Sequence, residues 1–364
     1  MSSSRYNTLK VIEVIKETAD AHSIVFDVPA SLTEQYSYQP GQFVTLKLPY
    51  EDGFLPRCYS MSSTPTLDSG LRVTVKRVED GRGSNWICDN LVVGSELEVM
   101  RPSGLFVPKD LAEDHLLCAG GSGITPVLSI MRHVLENGTG NVRMIYANRD
   151  ESSVIFKTLI KELSAKYPER LQVIHLLDSL QGIPSFALLS SLADGMQQGR
   201  AFICGPGPFM DAMEKAAQQA KFPDSRIHTE RFISAAPVKS SSVNTENAAP
   251  EVLVAAAPAA VAQAKAVVDD ADLPSATVHL ELDGENHVIP CEPGQTVLDA
   301  AEQIGLELPY SCREGMCASC MCEVVEGDVK LNHNDVLDER DLANKLTLSC
   351  QAVALTAEVK LKYT

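Results

Sequence analysis

Four cysteines near the carboxyl end set the tightest constraint on this chain: Cys312-x4-Cys317-x2-Cys320, then Cys350 after twenty-nine intervening residues. Three thiols so close in sequence converge on one centre only from a loop folded back on itself, and the fourth must return from a distant element. That spacing is the one that holds a 2Fe–2S cluster, whose irons are stabilised by soft, charged thiolate donors. Gly315 and the small residues Ser311, Ala318 and Ser319 suit a loop whose backbone N–H groups approach the sulfurs closely. A four-cysteine zinc site usually pairs its ligands as two CxxC knuckles, and here only Cys317 and Cys320 form one. Cys322 reads as a small buried hydrophobe behind the loop, not a ligand.

The remaining thiols, Cys58, Cys88, Cys118, Cys204, Cys291 and Cys322, are scattered singly, the pattern of a reducing, cytoplasmic compartment. Met1 to Lys10 has no apolar h-region, so no secretory signal is expected. The one long apolar tract, Val252 to Val268, is broken by Pro258, Gln263 and Lys265, and no membrane span is expected either. A formal charge of −17 argues against nucleic acid, whose phosphates would be repelled. From Asp272 onward the chain holds 17 acidic and 6 basic residues, net −11, so most of the excess belongs to the cysteine-bearing module, where it serves solubility or docking.

At 364 residues the chain has room for two or three domains, and composition divides it. Over 1–110, the strand-like runs Leu9 to Val28, Gly41 to Leu48, Leu71 to Arg77 and Glu96 to Met100, separated by Pro and Gly turns, predict an antiparallel β-barrel. Over 111–233, strand Leu116 to Ala119, helix Pro126 to Leu135, strand Val142 to Ala147, helix Ser153 to Lys166, strand Leu171 to Leu177, strand Ala201 to Cys204 and helix Pro208 to Ala220 alternate as in a doubly wound α/β sheet. Residues 234–271, rich in Ala, Pro and Ser, read as a linker with a helical run over Ala255 to Val268. Over 272–364, Thr277 to Leu282 and His287 to Pro290 predict a hairpin, and Val297 to Ile304 a helix capped by Thr296.

The barrel carries Arg57-Cys58-Tyr59-Ser60. An arginine pairs bidentately with a pyrophosphate and a tyrosine ring flanks a flat heteroaromatic system, so the string suits a flavin dinucleotide. Gly83, Ser84 and Asn85, ahead of the helical pattern Trp86 to Leu91, offer backbone N–H groups and a helix N-terminus to a second phosphate contact. In the α/β part, Gly120-Gly121-Ser122-Gly123-Ile124-Thr125-Pro126 departs from G-x-G-x-x-G but sits at the carboxyl end of a first parallel strand, where open α/β sheets bind ligands. Cys204-Gly205-Pro206-Gly207-Pro208 repeats the arrangement at a later strand, and two such turns suit a nicotinamide dinucleotide. After strand Val142 to Ala147, Arg149 would attract a 2′-phosphate, whereas Asp150 and Glu151 would repel it and suit ribose hydroxyls; NADH is expected over NADPH. The eight histidines are dispersed and predict no further metal site.

In that order, Arg-x-Tyr-Ser, Gly-Gly-Ser-Gly-Ile-Thr-Pro and Cys-Gly-Pro-x-Pro-Phe-Met resemble the ferredoxin–NADP reductase superfamily, here with an appended plant-type ferredoxin of β-grasp fold. Glu17 to Ala21, Gly83 to Asn90 and Tyr146 to Phe156 are similar to the reductase components of 3-ketosteroid 9α-hydroxylases, and the reductase subunits of phenylacetyl-CoA epoxidases share the domain order. The resemblance implies an enzyme in which NAD(P)H reduces FAD and the 2Fe–2S centre passes electrons to a separate terminal oxygenase, expected to be a Rieske oxygenase of the 3-ketosteroid 9α-hydroxylase type. It further implies that Arg57, Tyr59, Ser60, Val75 and Gly83 to Asn85 bind the flavin with Ser60 near its N5. Thr125 and Cys204 would line the nicotinamide beside Gly121, Gly123, Gly205 and Pro206, and Glu230 to Phe232 would close over the flavin ring. Catalysis would then fall to Ser60, Thr125, Cys204 and Glu230, in a monomer. An iron–sulfur redox sensor is the alternative from another class, and it would have no use for a complete flavin and nicotinamide apparatus.

Overall fold

The computed structural model describes residues 6–51, 53–232, 273–282, 284–310, 313, 315, 318–334, 336–337 and 339–363. The expected linker, with its helical run, lies outside the described residues.

The first unit contains β1 (Tyr6–Lys16), β2 (Ala21–Asp27), β3 (Phe43–Tyr50), β4 (Gly53–Ser60), β5 (Leu71–Lys76), α1 (Arg82–Asn90) and β6 (Glu96–Met100). Its sheet runs in the order β4-β3-β6-β1-β2-β5, and a bridge between Met61 and Val73 joins its two ends into a barrel. Alternation along the strands sends Leu9, Val11, Ile24, Phe26, Val44, Leu46, Val73 and Val99 inward, all with no exposed surface. The run over Leu9 to Val28 is two strands because the chain turns at 17–20, where Thr18 donates from Oγ1 to Asp20 Oδ1 at 2.7 Å. β4 was not among the predicted strands.

The second unit follows with β7 (His115–Gly120), α2 (Ile124–Asn137), β8 (Val142–Asn148), α3 (Lys157–Lys166), β9 (Leu171–Leu177), α4 (Asp178–Gln181), α5 (Phe186–Ala193), β10 (Arg200–Cys204), α6 (Gly207–Gln219) and β11 (Ile227–Glu230). All pairings are parallel, in the order β11-β10-β7-β8-β9, so strand order reverses between β7 and β10 and opens a crevice at their carboxyl ends. The helix expected over Ser153 to Lys166 begins only at Lys157. Asp150 instead caps a separate turn at Glu151–Ser153, Val154 to Phe156 are buried beyond it, and the left-handed Phe156, at φ 60°, breaks the chain before α3 begins.

The last unit has β12 (Ala276–Leu282), β13 (Glu285–Cys291), α7 (Val297–Gln303), β14 (Met321–Glu326), β15 (Val329–Leu331), α8 (Glu339–Ala343), β16 (Leu346–Leu348), β17 (Ala352–Ala354) and β18 (Glu358–Lys362). The order β13-β12-β18-β14-β16, with β12 and β18 parallel and a helix over one face, is a β-grasp arrangement. Thr296 caps α7 as predicted, accepting at Oγ1 from Asp299 N at 3.2 Å.

Candidate functional site

β4 carries Arg57 to Ser60 and pairs with β3, Leu46 opposite Arg57 and Phe43 opposite Ser60. Strand alternation puts Arg57 and Tyr59 on one face and Cys58 and Ser60 on the other. On the first face stands α1. A Cβ added to Gly83 would lie 2.9 Å from Arg57 Cγ and 3.1 Å from Leu48 Cδ1, so only glycine lets the helix approach the arginine this closely. No side chain caps the start of α1. Ser84 and Asn85 turn their side chains to the loop before it: Val78 N donates to Ser84 Oγ at 3.2 Å, and Asn85 Nδ2 donates to Val78 O at 3.2 Å. What Ser84 offers an anion is therefore backbone N–H, whereas Asn85 N already donates to Gly81 O at 3.2 Å as the first bond of the helix. Burial, with Arg82 adding to it, works against the Arg57 charge, and burial pushes the Tyr59 hydroxyl far up, keeping it neutral. Two guanidinium groups, an uncapped helix start and a neutral ring make a donor set that fits a flavin dinucleotide.

At the crevice the two glycine turns interlock. A Cβ on Gly120 would meet Pro206 Cδ at 2.7 Å, and one on Gly123 would meet Cys204 O at 2.2 Å. Gly121 has φ +52°, and Tyr146 donates its hydroxyl to Gly121 O at 3.2 Å. Thr125 is buried in the first turn of α2 and donates from Oγ1 to Ser122 O at 3.2 Å. Cys204 has no exposed surface; burial, with Glu230 adding to it, raises its thiol well above the ordinary range, so it is a neutral wall and not a nucleophile. A residue that the sequence reading missed enters here from the barrel: Lys76 Nζ lies 3.7 Å from the position of a Cβ on Gly121. Its one local signal is a cation that ends the alternating strand Leu71-Arg72-Val73-Thr74-Val75-Lys76, a cue too common to single out.

The barrel and the α/β unit meet at Ser60, which donates from Oγ to Glu230 Oε2 at 3.0 Å. Glu230 is half-buried, and burial raises its carboxyl to about 8 against the opposing Ser60 hydrogen bond. Ser129 Oγ donates to Ser63 O at 2.6 Å and Arg132 pairs with Asp68 through two contacts of 2.5 and 3.0 Å, fixing the same boundary. Val75 is buried in β5 opposite His22. Phe232, just past β11, is 46% exposed. Asp150 accepts at Oδ1 from Ser152 Oγ at 2.6 Å and Ser153 N at 2.9 Å, capping the turn that follows β8, and these bonds hold its carboxyl below the usual range.

In the last unit, Cys320 and Cys350 are buried with their sulfurs 3.2 Å apart, neither in a disulfide. Cys312 and Cys317 lie outside the described residues. The loop backbone turns back through left-handed conformations at Arg313, Gly315 and Ala318, and a Cβ on Gly315 would meet His333 O at 2.4 Å. Gln351 Nε2 donates to Arg313 O at 2.6 Å, clamping that turn to the residue after Cys350. Two adjacent soft donors held by such a loop fit the cluster. Cys322 has no exposed surface and its thiol is pushed far up by burial, as a core residue's would be. Ser319, beside Cys320, places its Oγ 3.8 Å from Cys58 Sγ on β4, and Leu105 of the barrel unit packs against the core of the last unit.

Three family models match the chain: an oxidoreductase FAD-binding domain over residues 8–107, an oxidoreductase NAD-binding domain over 117–215 and a 2Fe-2S iron-sulfur cluster binding domain over 280–355. The chain is 43% identical over 361 residues, covering 99% of itself and 97% of the relative, to the 3-ketosteroid-9-alpha-monooxygenase, ferredoxin reductase component, of Rhodococcus rhodochrous. It is 34% identical over 374 residues, covering 98% of each chain, to one of the subunits of the 1,2-phenylacetyl-CoA epoxidase of Escherichia coli strain K12. Among solved structures it superposes on phthalate dioxygenase reductase with a TM-score of 0.56, covering 98% of each chain at 22% identity, a likeness of fold.

Proposed function

This chain belongs to the family of oxygenase reductase components that join FAD-binding, NAD-binding and 2Fe-2S domains in one polypeptide, and on that premise we propose that it draws electrons from NADH and delivers them to a terminal oxygenase of the 3-ketosteroid 9α-hydroxylase type. The single observation that carries the electron route is that β4 is touched on one face by both other units, by Glu230 at Ser60 and by Ser319 at Cys58. Bound FAD supplies the conversion of a two-electron hydride into single electrons, which a 2Fe–2S cluster takes one at a time.

The chain's own residues do the rest. Arg57 and the first turn of α1 hold the flavin's pyrophosphate, and Tyr59 flanks its ring. The interlocked turns at Gly120 to Gly123 and Cys204 to Pro206 hold the nicotinamide dinucleotide and exclude water, with Thr125 and Cys204 as the wall. Below pH about 8 Glu230 keeps its proton, so Ser60 faces a neutral partner and the flavin pocket gains no buried anion. Cys320 and Cys350, with Cys312 and Cys317, hold the cluster. The steroid-type partner is supported by 43% identity to the Rhodococcus protein against 34% to the epoxidase relative. The single, scattered spacing of the cysteines outside the cluster set supports a reducing compartment, the cytoplasm, and we take the protein to work there as a monomer without membrane attachment.

Anaerobic titration with NADH, followed by visible absorbance and electron paramagnetic resonance, tests the route. Flavin absorbance should bleach and a reduced-cluster signal appear. Cys350→Ser should abolish the second and keep the first, with iron and sulfide lost from the protein. Failure of NADH to bleach the flavin, or metal analysis finding zinc without iron, overturns the reading. Steroid hydroxylation on adding a 3-ketosteroid oxygenase, against turnover on adding a phenylacetyl-CoA epoxidase, decides the partner.

A further inference from the structure

The turn between β1 and β2 carries Glu17-Thr18-Ala19-Asp20-Ala21, on the barrel yet facing the α/β unit. Thr18 fixes Asp20: its Oγ1 donates to Oδ1 at 2.7 Å and accepts from Asp20 N at 3.3 Å. The other oxygen, Oδ2, meets two cations, Arg149 Nη2 at 3.2 Å and Lys76 Nζ at 3.8 Å. Lys76 is the last residue of β5 and overhangs the glycine turn at Gly121. Arg149 is the first residue past β8, at the carboxyl edge of the sheet where a doubly wound fold places the adenosine ribose and where an arginine accommodates a 2′-phosphate. Three neighbouring carboxylates are engaged elsewhere. Asp150 caps its turn, Glu151 pairs with Lys157 at 2.5 Å, and Glu17 Oε1 accepts from Ser23 Oγ at 2.6 Å. Asp178 opens α4 beside Arg149, whose carbonyl accepts from Ser179 N at 2.8 Å.

We propose that Asp20 decides which nicotinamide dinucleotide this chain accepts, by engaging through one carboxylate oxygen the arginine that a 2′-phosphate needs. The inference rests on the reading that the crevice takes a nicotinamide dinucleotide. The pyrophosphate is common to NADH and NADPH, and Lys76 serves both. The two differ by a phosphate of about two negative charges, which must take Arg149 from Asp20 and then sit beside the displaced carboxylate. A selectivity residue on the barrel is unexpected from the α/β unit alone, because Asp20 and Arg149 are 129 positions apart in sequence.

The test uses the flavin-loaded, cluster-loaded protein and two fragments, 5′-ADP and 2′,5′-ADP, whose dissociation constants are measured by calorimetry. In Asp20→Asn the ratio of the 5′-ADP to the 2′,5′-ADP constant should rise about two- to fivefold, the scale of one partly exposed ion pair. The kcat/KM ratio of NADPH to NADH for flavin reduction should move the same way. Asp20→Glu, which keeps the charge, should hold the wild-type ratio, and Arg149→Ala placed on Asp20→Asn should cancel the gain. An unchanged ratio in Asp20→Asn, or a gain that survives loss of Arg149, overturns the assignment of Asp20 alone. Wild-type protein that binds neither fragment overturns the crevice reading as well.

Discussion

Replacing Glu230 by glutamine isolates the charge at the junction of the flavin and nicotinamide units. Burial raises the Glu230 carboxyl from 4.5 to about 8. At about 1.36 kcal/mol for each pH unit between native and unfolded values, that rise sets a ceiling of about 5 kcal/mol. The side chain keeps some contact with water, which screens the charge, and about 2 kcal/mol is the realistic share. The sign follows from proton counting. Between pH 4.5 and about 8 the native carboxyl holds a proton that the unfolded chain has released, so stability falls as pH rises through this window and levels off above it. Glutamine accepts the Ser60 hydrogen bond without a charge to desolvate, so Glu230→Gln lacks this slope. Urea midpoints of FAD-saturated protein, read by flavin release at pH 5, 7 and 9, should show wild type losing about 2 kcal/mol relative to the variant across the range. Parallel pH curves for the two proteins would refute the reasoning.

Arg57→Ala should weaken FAD binding about 10- to 100-fold, the worth of a charge-assisted hydrogen bond, measured by flavin fluorescence on dilution, and should leave iron content unchanged. Ser319→Cys sets a second thiol against Cys58, whose sulfur stands 3.8 Å from the present Ser319 Oγ, close enough for a disulfide after a shift of about 2 Å. The oxidised variant should keep flavin-to-cluster transfer, lose oxygenase turnover about tenfold or more because the cluster face stays docked, and recover on reduction; full turnover while cross-linked would show that delivery needs no undocking.

What the sequence made legible was chemistry confined to short stretches. The glycine turn before α2 and the Thr296 cap are set by neighbours within a few positions and stand where they were expected, and three of the four cluster cysteines share one short loop in a matched domain while Cys350 follows from farther along the chain. The α3 start failed because period alone cannot tell a buried run from a helix when three consecutive side chains, Val154 to Phe156, all find core. Lys76, Asp20 and the Ser60 to Glu230 bond were invisible for another reason: their partners come from other units, 170 positions away for the last, and no periodicity encodes such a pair. Arg149 shows the cost. From its neighbours it read as a free cation set against two anions, whereas in the fold it is held by a carboxylate of the barrel.

That β4 serves three partners follows from its register. One face of the strand gives Arg57 and Tyr59 to the helix α1, and the other gives Cys58 to the cluster loop and Ser60 to Glu230. A slip of one residue would exchange the two faces, turning the arginine toward the iron–sulfur loop and the small polar residues toward α1. Eight paired positions with β3, from Phe43 opposite Ser60 to Tyr50 opposite Gly53, oppose such a slip, and the Met61 to Val73 bridge pins the strand's end to the far edge of the sheet. The position between the arginine and the tyrosine must also stay small, because Cys58 is where the loop of the last unit comes to rest. On the proposed route, entry at Ser60 and exit at Cys58 are thus tied to one face of one strand by the two-residue repeat of a β-chain.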